Sequence, residues 1–446
     1  MKTNYSLFLF MIFTITINAQ TWNSVGTSIN GTPVVGVYAM ETYSSELFAA
    51  GNFDSAGGIY AHNIAKWNGT GWSPVGAGIK GGGSFQGVYA LAVYGSQLYA
   101  GGAIHVSDGN PGEGLIKWNG TAWVSIGATG INNTGKIRAL AVYGGELYAA
   151  GEFITAGGVT VSNIAKWNGS AWSAVGAGTN GLVRSMAVYG ANLYVGGEFT
   201  SAGGVTVNYI AKWNGSSWST VGTGMNPSGD VYSLVVFAGN LYAGGFFTTA
   251  GGVSAKKIAK WNGSAWSAVG TGIDPYSMVN TMVVHGGNLY AGGGFSTMFG
   301  APGNYVAKWN GSTWSALGSG LNAAAFSLCS YNSELYVGGT FTTAGSLPSK
   351  AIARWNIPIG IKENDNEVAM NLYPNPASDK IVIDFESQLT DCKLSLLTIA
   401  GEQISLFNFS GNSITFETGG LKPGIYFARI LSESNQVMGT RKVIIR

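Results

Sequence analysis

Residues 193–222 read LYVGGEFTSAGGVTVNYIAKWNGSSWSTVG, and three phrases in this stretch return along the chain. Lys212-Trp213-Asn214-Gly215 recurs with its Trp at 67, 118, 167, 261 and 309, and in degenerate form as Arg354-Trp355-Asn356. Trp218 opens a Trp-x-x-(Val/Ile/Leu)-Gly phrase that also opens at Trp22, Trp72, Trp123, Trp172, Trp266 and Trp314. Leu193-Tyr194, ahead of a small-residue pair ending in Gly, has counterparts at Leu47, Leu98, Leu147, Leu241, Leu289 and Leu335. Each phrase occurs seven times at spacings of 46 to 51 residues, and the first two sets use all fourteen tryptophans. A fixed period of that size marks a repeat architecture.

Within one period the strands are direct to read. Val88 to Tyr94 is an apolar run, turned at Gly95-Ser96 into Gln97-Leu98-Tyr99-Ala100. After a loop, Ile164 to Trp167 meets Asn168-Gly169 and returns through Trp172 to Val175. Asn-Gly favours a hairpin turn, and with a loop of two or four residues Trp167 and Trp172 share a face. Four strands in each of seven repeats predict an all-β, seven-bladed β-propeller. The first repeat begins at Trp22 without its Lys-Trp strand, and the last ends at Trp355 without its partner. Together they complete one hairpin, so closure by strand exchange between the chain ends is expected.

Composition agrees. Seventy Gly, 12% aromatic and only 10% charged residues describe a β-rich chain. A formal charge of +2, spread without a basic block, argues against a nucleic-acid partner. Lys2 followed by the apolar run Leu7–Ile17 reads as an export signal over residues 1–19, cut after Ala19. No later apolar stretch is long enough for a bilayer, so no transmembrane segment is expected in the mature chain. Cys329 and Cys392 stand in different domains of this reading and are read as free thiols.

The repeat phrase resembles kelch-type repeats, and its fuller form is similar to kelch-like propeller repeats of exported bacterial proteins. The resemblance covers about residues 21–357 and implies a propeller fold (domain 20–357), without implying an activity. After a linker at 358–370 the pattern changes. Tyr373-Pro374-Asn375-Pro376-Ala377 opens residues 371–446, Leu421-x-x-Gly424-x-Tyr426 follows, and the tail runs from Lys442 to Arg446. Alternating strands predict a small C-terminal β-sandwich. The three motifs resemble the type A C-terminal sorting domain of the type IX secretion system of Bacteroidota. That resemblance implies recognition by the secretion machinery and a protein released or attached to the outer cell surface.

No catalytic constellation, metal site or cofactor is expected. His62, His105 and His285 lie in different blades, and the copper-oxidase set of Cys, two Tyr and two His is not in register around Cys329. Ligand-binding candidates are Glu152 and Glu198, which follow the strand-end Gly in neighbouring blades. The loop from His105 through Asp108 to Glu113, which breaks the usual Ala-Gly-Gly pattern, supplies three more. Each has a plain alternative as solvated charge or loop variant. The tryptophans, the Asn-Gly-(Ser/Thr) triplets and the Lys before each Trp are read as structural. Short turns fall on one side and varied loops on the other, so the varied face is the place for a site. The leading expectation is a binding or adhesion protein contacting a surface glycan or protein. A polysaccharide lyase or hydrolase, and a purely structural surface component, are the alternatives.

Overall fold

The computed structural model describes residues 21–31, 35–80, 87–127, 129–131, 136–226, 229–270, 272, 277–298, 301–302, 304–356, 368, 370–398, 403–433 and 437–446. The chain divides into two compact units, one through residues 20–357 and one containing 358–446. The expected export signal with its cut after Ala19, and most of the expected linker, lie outside the described residues. Strands dominate, and the single helical element among the described residues is a 3-10 turn at Val106–Asp108.

In the repeat containing residues 193–222, Val183–Tyr189, Asn192–Gly197, Ile210–Trp213 and Trp218–Thr220 pair in that order into an antiparallel sheet. Seven such propeller-like, four-stranded sheets occur among the described residues. Ala325–Tyr331, Glu334–Gly339 and Ile352–Asn356 form three strands of the last sheet. Its fourth strand is Thr21–Ser24, with Trp22 opposite Trp355. First strands of successive sheets lie side by side in chain order, and Ala325–Tyr331 lies against Gly36–Tyr43.

The repeated phrases explain this packing. Leu193-Tyr194-Val195-Gly196-Gly197 is buried throughout because both its faces are covered, which is why it reads as a continuous apolar run. A Cβ on Gly196 would stand 2.5 Å from Val231 of the next sheet, so a small residue sets the spacing between sheets. Trp213 and Trp218 are direct cross-strand partners with ring centroids 5.2 Å apart. The Trp218 indole Nε1 donates to the Val175 carbonyl of the preceding sheet at 3.0 Å, and Trp22 donates likewise to Leu317 at 2.8 Å. At the opposite end of the first strands, Tyr189 donates to the Gly239 carbonyl of the next sheet and Tyr331 to that of Ser45.

Asn214 does not open a two-residue turn. Its Oδ1 accepts from the Ser216 and Ser217 amides and closes a four-residue loop. The varied loops also contain elements absent from the sequence reading. Ser201–Ala202 pairs with Val205–Thr206 across Gly203-Gly204, and five other repeats have the same small hairpin. In the second repeat the 3-10 turn at Val106–Asp108 takes its place.

In the C-terminal unit, where the sequence suggested a sandwich, hydrogen bonds join Met370–Tyr373, Lys380–Thr398, Gln403–Glu417, Gly424–Leu431 and Val437–Ile445 into one five-stranded sheet. The long hairpin of 380–398 with 403–417 shifts register near Leu389 and Cys392. Ile381, Ile383, Leu394, Ile430 and Val443 share one apolar cluster.

Candidate functional site

The second Gly of each pair creates the site. A Cβ on Gly197 would lie 2.1 Å from the Leu182 carbonyl, and the equivalent distances in the other six sheets are 1.9 to 2.2 Å. Only a bare backbone permits this approach, and here the first strand slips register by one residue. In this sheet the shift falls between Val183 and Ser185, leaving Arg184 unpaired in the ladder. The same bulge recurs in all seven sheets. Bulges re-aim the side chain of the extra residue. The extra residues are Tyr38, Tyr89, Arg138 and Arg184 in the first four sheets. Tyr232, Asn280 and Phe326 hold the place in the last three. All seven are half-buried. They lie at the hairpin end away from the tight turns, on the side of the varied loops.

Neighbouring members touch. The Phe326 ring meets Tyr38 edge-on at 5.6 Å, and Tyr38 stacks on Tyr89 at 5.5 Å. The Arg138 guanidinium carbon sits 4.1 Å from the Tyr89 ring centre, and that of Arg184 4.8 Å from the Tyr232 ring centre. Asn280 Nδ2 donates to the Ala325 carbonyl at 3.0 Å. Burial lowers the Arg138 pKa and the adjacent Arg184 charge adds to that, while Tyr89, Glu152 and Glu198 oppose it. Burial, then the Asp230 carboxylate, pushes the Tyr232 hydroxyl up to about 12, so it stays a donor to Asp230 Oδ2 at 3.0 Å. Burial also lifts the Asp230 carboxyl above its ordinary range, against the Tyr232 hydrogen bond.

The sequence candidates fall into two groups. Glu152 and Glu198, both exposed, flank the row of bulged residues: each immediately follows the strand Gly that faces a bulge. Glu198 forms an ion pair with Arg184. Glu152 stands opposite Lys136 in the strand ladder. The residues of the 105–113 loop instead turn on one another. Glu113 Oε2 is 3.2 Å from His105 Nδ1, and its Oε1 accepts from the Val106 amide. The Asp108 amide donates to the His105 carbonyl while its carboxylate Oδ2 has no partner, and the buried Asn110 clasps the backbone of Lys80. Burial pushes the Cys329 thiol up to about 12, which keeps it protonated, and both cysteines are free. No group of three or more His, Cys, Asp or Glu that could hold a metal occurs among the described residues.

The bulged residues are absent from the sequence reading. Their signal is present as a recurring apolar–x–small–(Leu/Met) pattern: Val183-Arg184-Ser185-Met186 matches Val37-Tyr38-Ala39-Met40 and Val231-Tyr232-Ser233-Leu234. The large residue at x varies while its neighbours hardly do.

In the C-terminal unit, Asn375 is a clasp. Its Nδ2 donates to the Lys442 carbonyl at 2.8 Å and its Oδ1 accepts from the Ile444 amide at 2.9 Å. Ala377 bonds through its backbone to Ile444 and Arg446, so the Tyr373–Pro376 segment is bound to the final strand. Tyr373 donates to Asp384, and Tyr426 to the Lys422 carbonyl at 2.8 Å.

Seven similar sheets and a C-terminal strand module define a repeat-built, all-β protein with a separate tail. Residues 371–446 match the family described as "Secretion system C-terminal sorting domain". The tail is therefore a type IX sorting domain, which implies interaction with that machinery, and the protein is secreted or attached to the outer surface. No helix among the described residues is long and apolar enough to cross a membrane. No curated protein matches the chain. Among solved structures it is similar to PorZ, a surface component of the type IX secretion system of Porphyromonas gingivalis, at 15% identity and TM-score 0.46. That alignment covers 94% of this chain and 60% of PorZ, so the chain spans less than two thirds of that relative. A fungal alcohol oxidase of the AA5 family in complex with copper aligns at 12% identity and TM-score 0.46, covering 96% of this chain and 100% of the oxidase. A Niastella koreensis GH74 enzyme aligns at 14% identity and TM-score 0.37, with 96% and 74% covered.

Proposed function

We propose that residues 20–357 form a closed seven-bladed, kelch-like β-propeller that acts as a secreted or surface binding module. Its ligand, a glycan, is taken at the mouth ringed by the bulged residues. One observation carries this reading: the same backbone bulge in every sheet aims a residue that is not the same. The paired tryptophans and the second strand Gly of this repeat keep one residue type, whereas this position holds aromatic faces and planar donors suited to stacking and orienting a sugar. Adjacency of the last sheet's first strand to the first sheet's supports ring closure, as does the exchange of Thr21–Ser24. Residues 1–19 serve as the export signal and 358–370 as the linker to the sorting tail.

The second reading, a polysaccharide lyase or hydrolase, is favoured by the Asp230 carboxyl, raised by burial beside Tyr232 and the Arg184–Glu198 pair. Purified full-length protein screened against neutral and acidic polysaccharides, read for binding and for chain shortening, tests both. Binding that weakens in Tyr38→Ala and Tyr89→Ala supports the module. A panel with no binding, or binding indifferent to both variants, overturns it. Shortening that disappears in Asp230→Asn establishes the enzyme instead.

A further inference from the structure

Two arginines occupy the same bulged position in neighbouring sheets and are electrically unlike. Arg184 is balanced by Glu198. Arg138 makes no ion pair among the described residues, and its Nε is shielded from water without a hydrogen-bond partner. Glu152 holds in its sheet the place that Glu198 holds in the next and acts on Arg138 only as a nearby charge, standing opposite Lys136 in the ladder. The Arg138 guanidinium instead lies over Tyr89 and hydrogen-bonds its side chain, one side of the arc that continues through Tyr38 to Phe326. A partly desolvated cation without an anion is costly, and a planar, forked carboxylate is the group that best relieves it. Burial and the adjacent Arg184 charge disfavour this cation, and Tyr89, Glu152 and Glu198 offset them only in part.

We propose that Arg138 receives the carboxylate of an acidic sugar, with the apolar face of the pyranose stacked on the Tyr38–Tyr89 arc. This rests on the glycan-binding reading above. The rim decides against denser anions. Glu152, Glu198 and Asp230 stand around the two guanidiniums, so a polyphosphate or polysulfate meets three carboxylates for one cation that lacks an ion pair. A ligand with one negative charge per sugar ring and many hydroxyls fits better, because carboxylates accept hydroxyl hydrogen bonds and repel denser charge.

The test compares oligogalacturonate with its methyl ester, which keeps the sugar ring and removes the charge. Calorimetry on the full-length protein should show the acid binding about tenfold tighter than the ester, the scale of one well-formed charged fork. Arg138→Gln should bring the two affinities together, Arg138→Lys should restore part of the preference, and Tyr89→Ala should weaken both ligands. Equal binding of acid and ester by the native protein, still dependent on Tyr89, overturns the inference and leaves the glycan-binding reading intact. Failure of both sugars and of the neutral panel overturns both. Stronger binding of a peptide α-carboxylate than of oligogalacturonate also overturns it. If Arg138→Gln does not fold, the acid–ester comparison on the native protein still decides.

Discussion

Gly197 belongs at once to the repeat and to the site. It is fully buried, and its bare Cα lets the Leu182 carbonyl approach to a distance that would be 2.1 Å from a Cβ. Gly197→Ala should therefore force the bulge to open, costing about 2–3 kcal/mol in chemical denaturation. His285 has a different vulnerability. It occupies the place held by tyrosine in five sheets, is 6% exposed, and pairs Nδ1 with Ser330 Oγ at 2.8 Å. Burial lowers its pKa from the ordinary 6.5, so the folded chain binds fewer protons there than the unfolded one. The stability of the neutral imidazole is thus complete above pH 6.5 and is lost as pH falls below it. His285→Tyr should flatten the decline in melting temperature between about pH 7 and pH 5, while an unchanged acid decline would assign it to other groups.

Trp218 shows what the tryptophan pair contributes to an element. Its ring packs on Trp213, and its Nε1 satisfies the Val175 carbonyl of the preceding sheet. Trp218→Phe keeps most of the ring and orphans that carbonyl, for an expected loss of about 1–3 kcal/mol. Trp218→Ala also removes the packing and should cost about 3–5 kcal/mol. No loss in Trp218→Phe would show that the hydrogen bond between sheets contributes nothing, and equal losses in the two variants would show that the ring packing adds nothing to it. Strands were legible at this scale because their residues have few substitutes: a Trp that must pack and donate, and a Gly that must be bare. The row of bulged residues was not legible, since its members vary and a register shift sets their direction, which alternation along one strand does not reveal. Small hairpins such as Ser201–Ala202 with Val205–Thr206 escaped because two-residue strands carry no period. Glu198 was found, but its partner Arg184 was not, because the two meet only across the bulged ladder.

The chain ends decide how the repeats behave as one molecule. In an open array, damage at a terminus stays near that terminus, because each repeat depends only on its neighbours. Here Thr21–Ser24 completes the sheet that ends at Asn356, and Trp22 donates to Leu317 of the sixth sheet. The backbone at Gly26, four residues on, is set against Trp72 of the first sheet. One short strand thus links the sixth, seventh and first sheets. Trp22 is 5% exposed, as well buried as the tryptophans of interior sheets. Trp22→Ala should therefore cost as much as Trp218→Ala, about 3–5 kcal/mol, and the unfolding curve should keep a single transition. Under the proposed closure every sheet is interior, so a weak point anywhere lowers the stability of the whole. A cost below about 1 kcal/mol, or a separate early transition from residues near 21–24 and 352–356, would instead identify a fraying end and remove the ring.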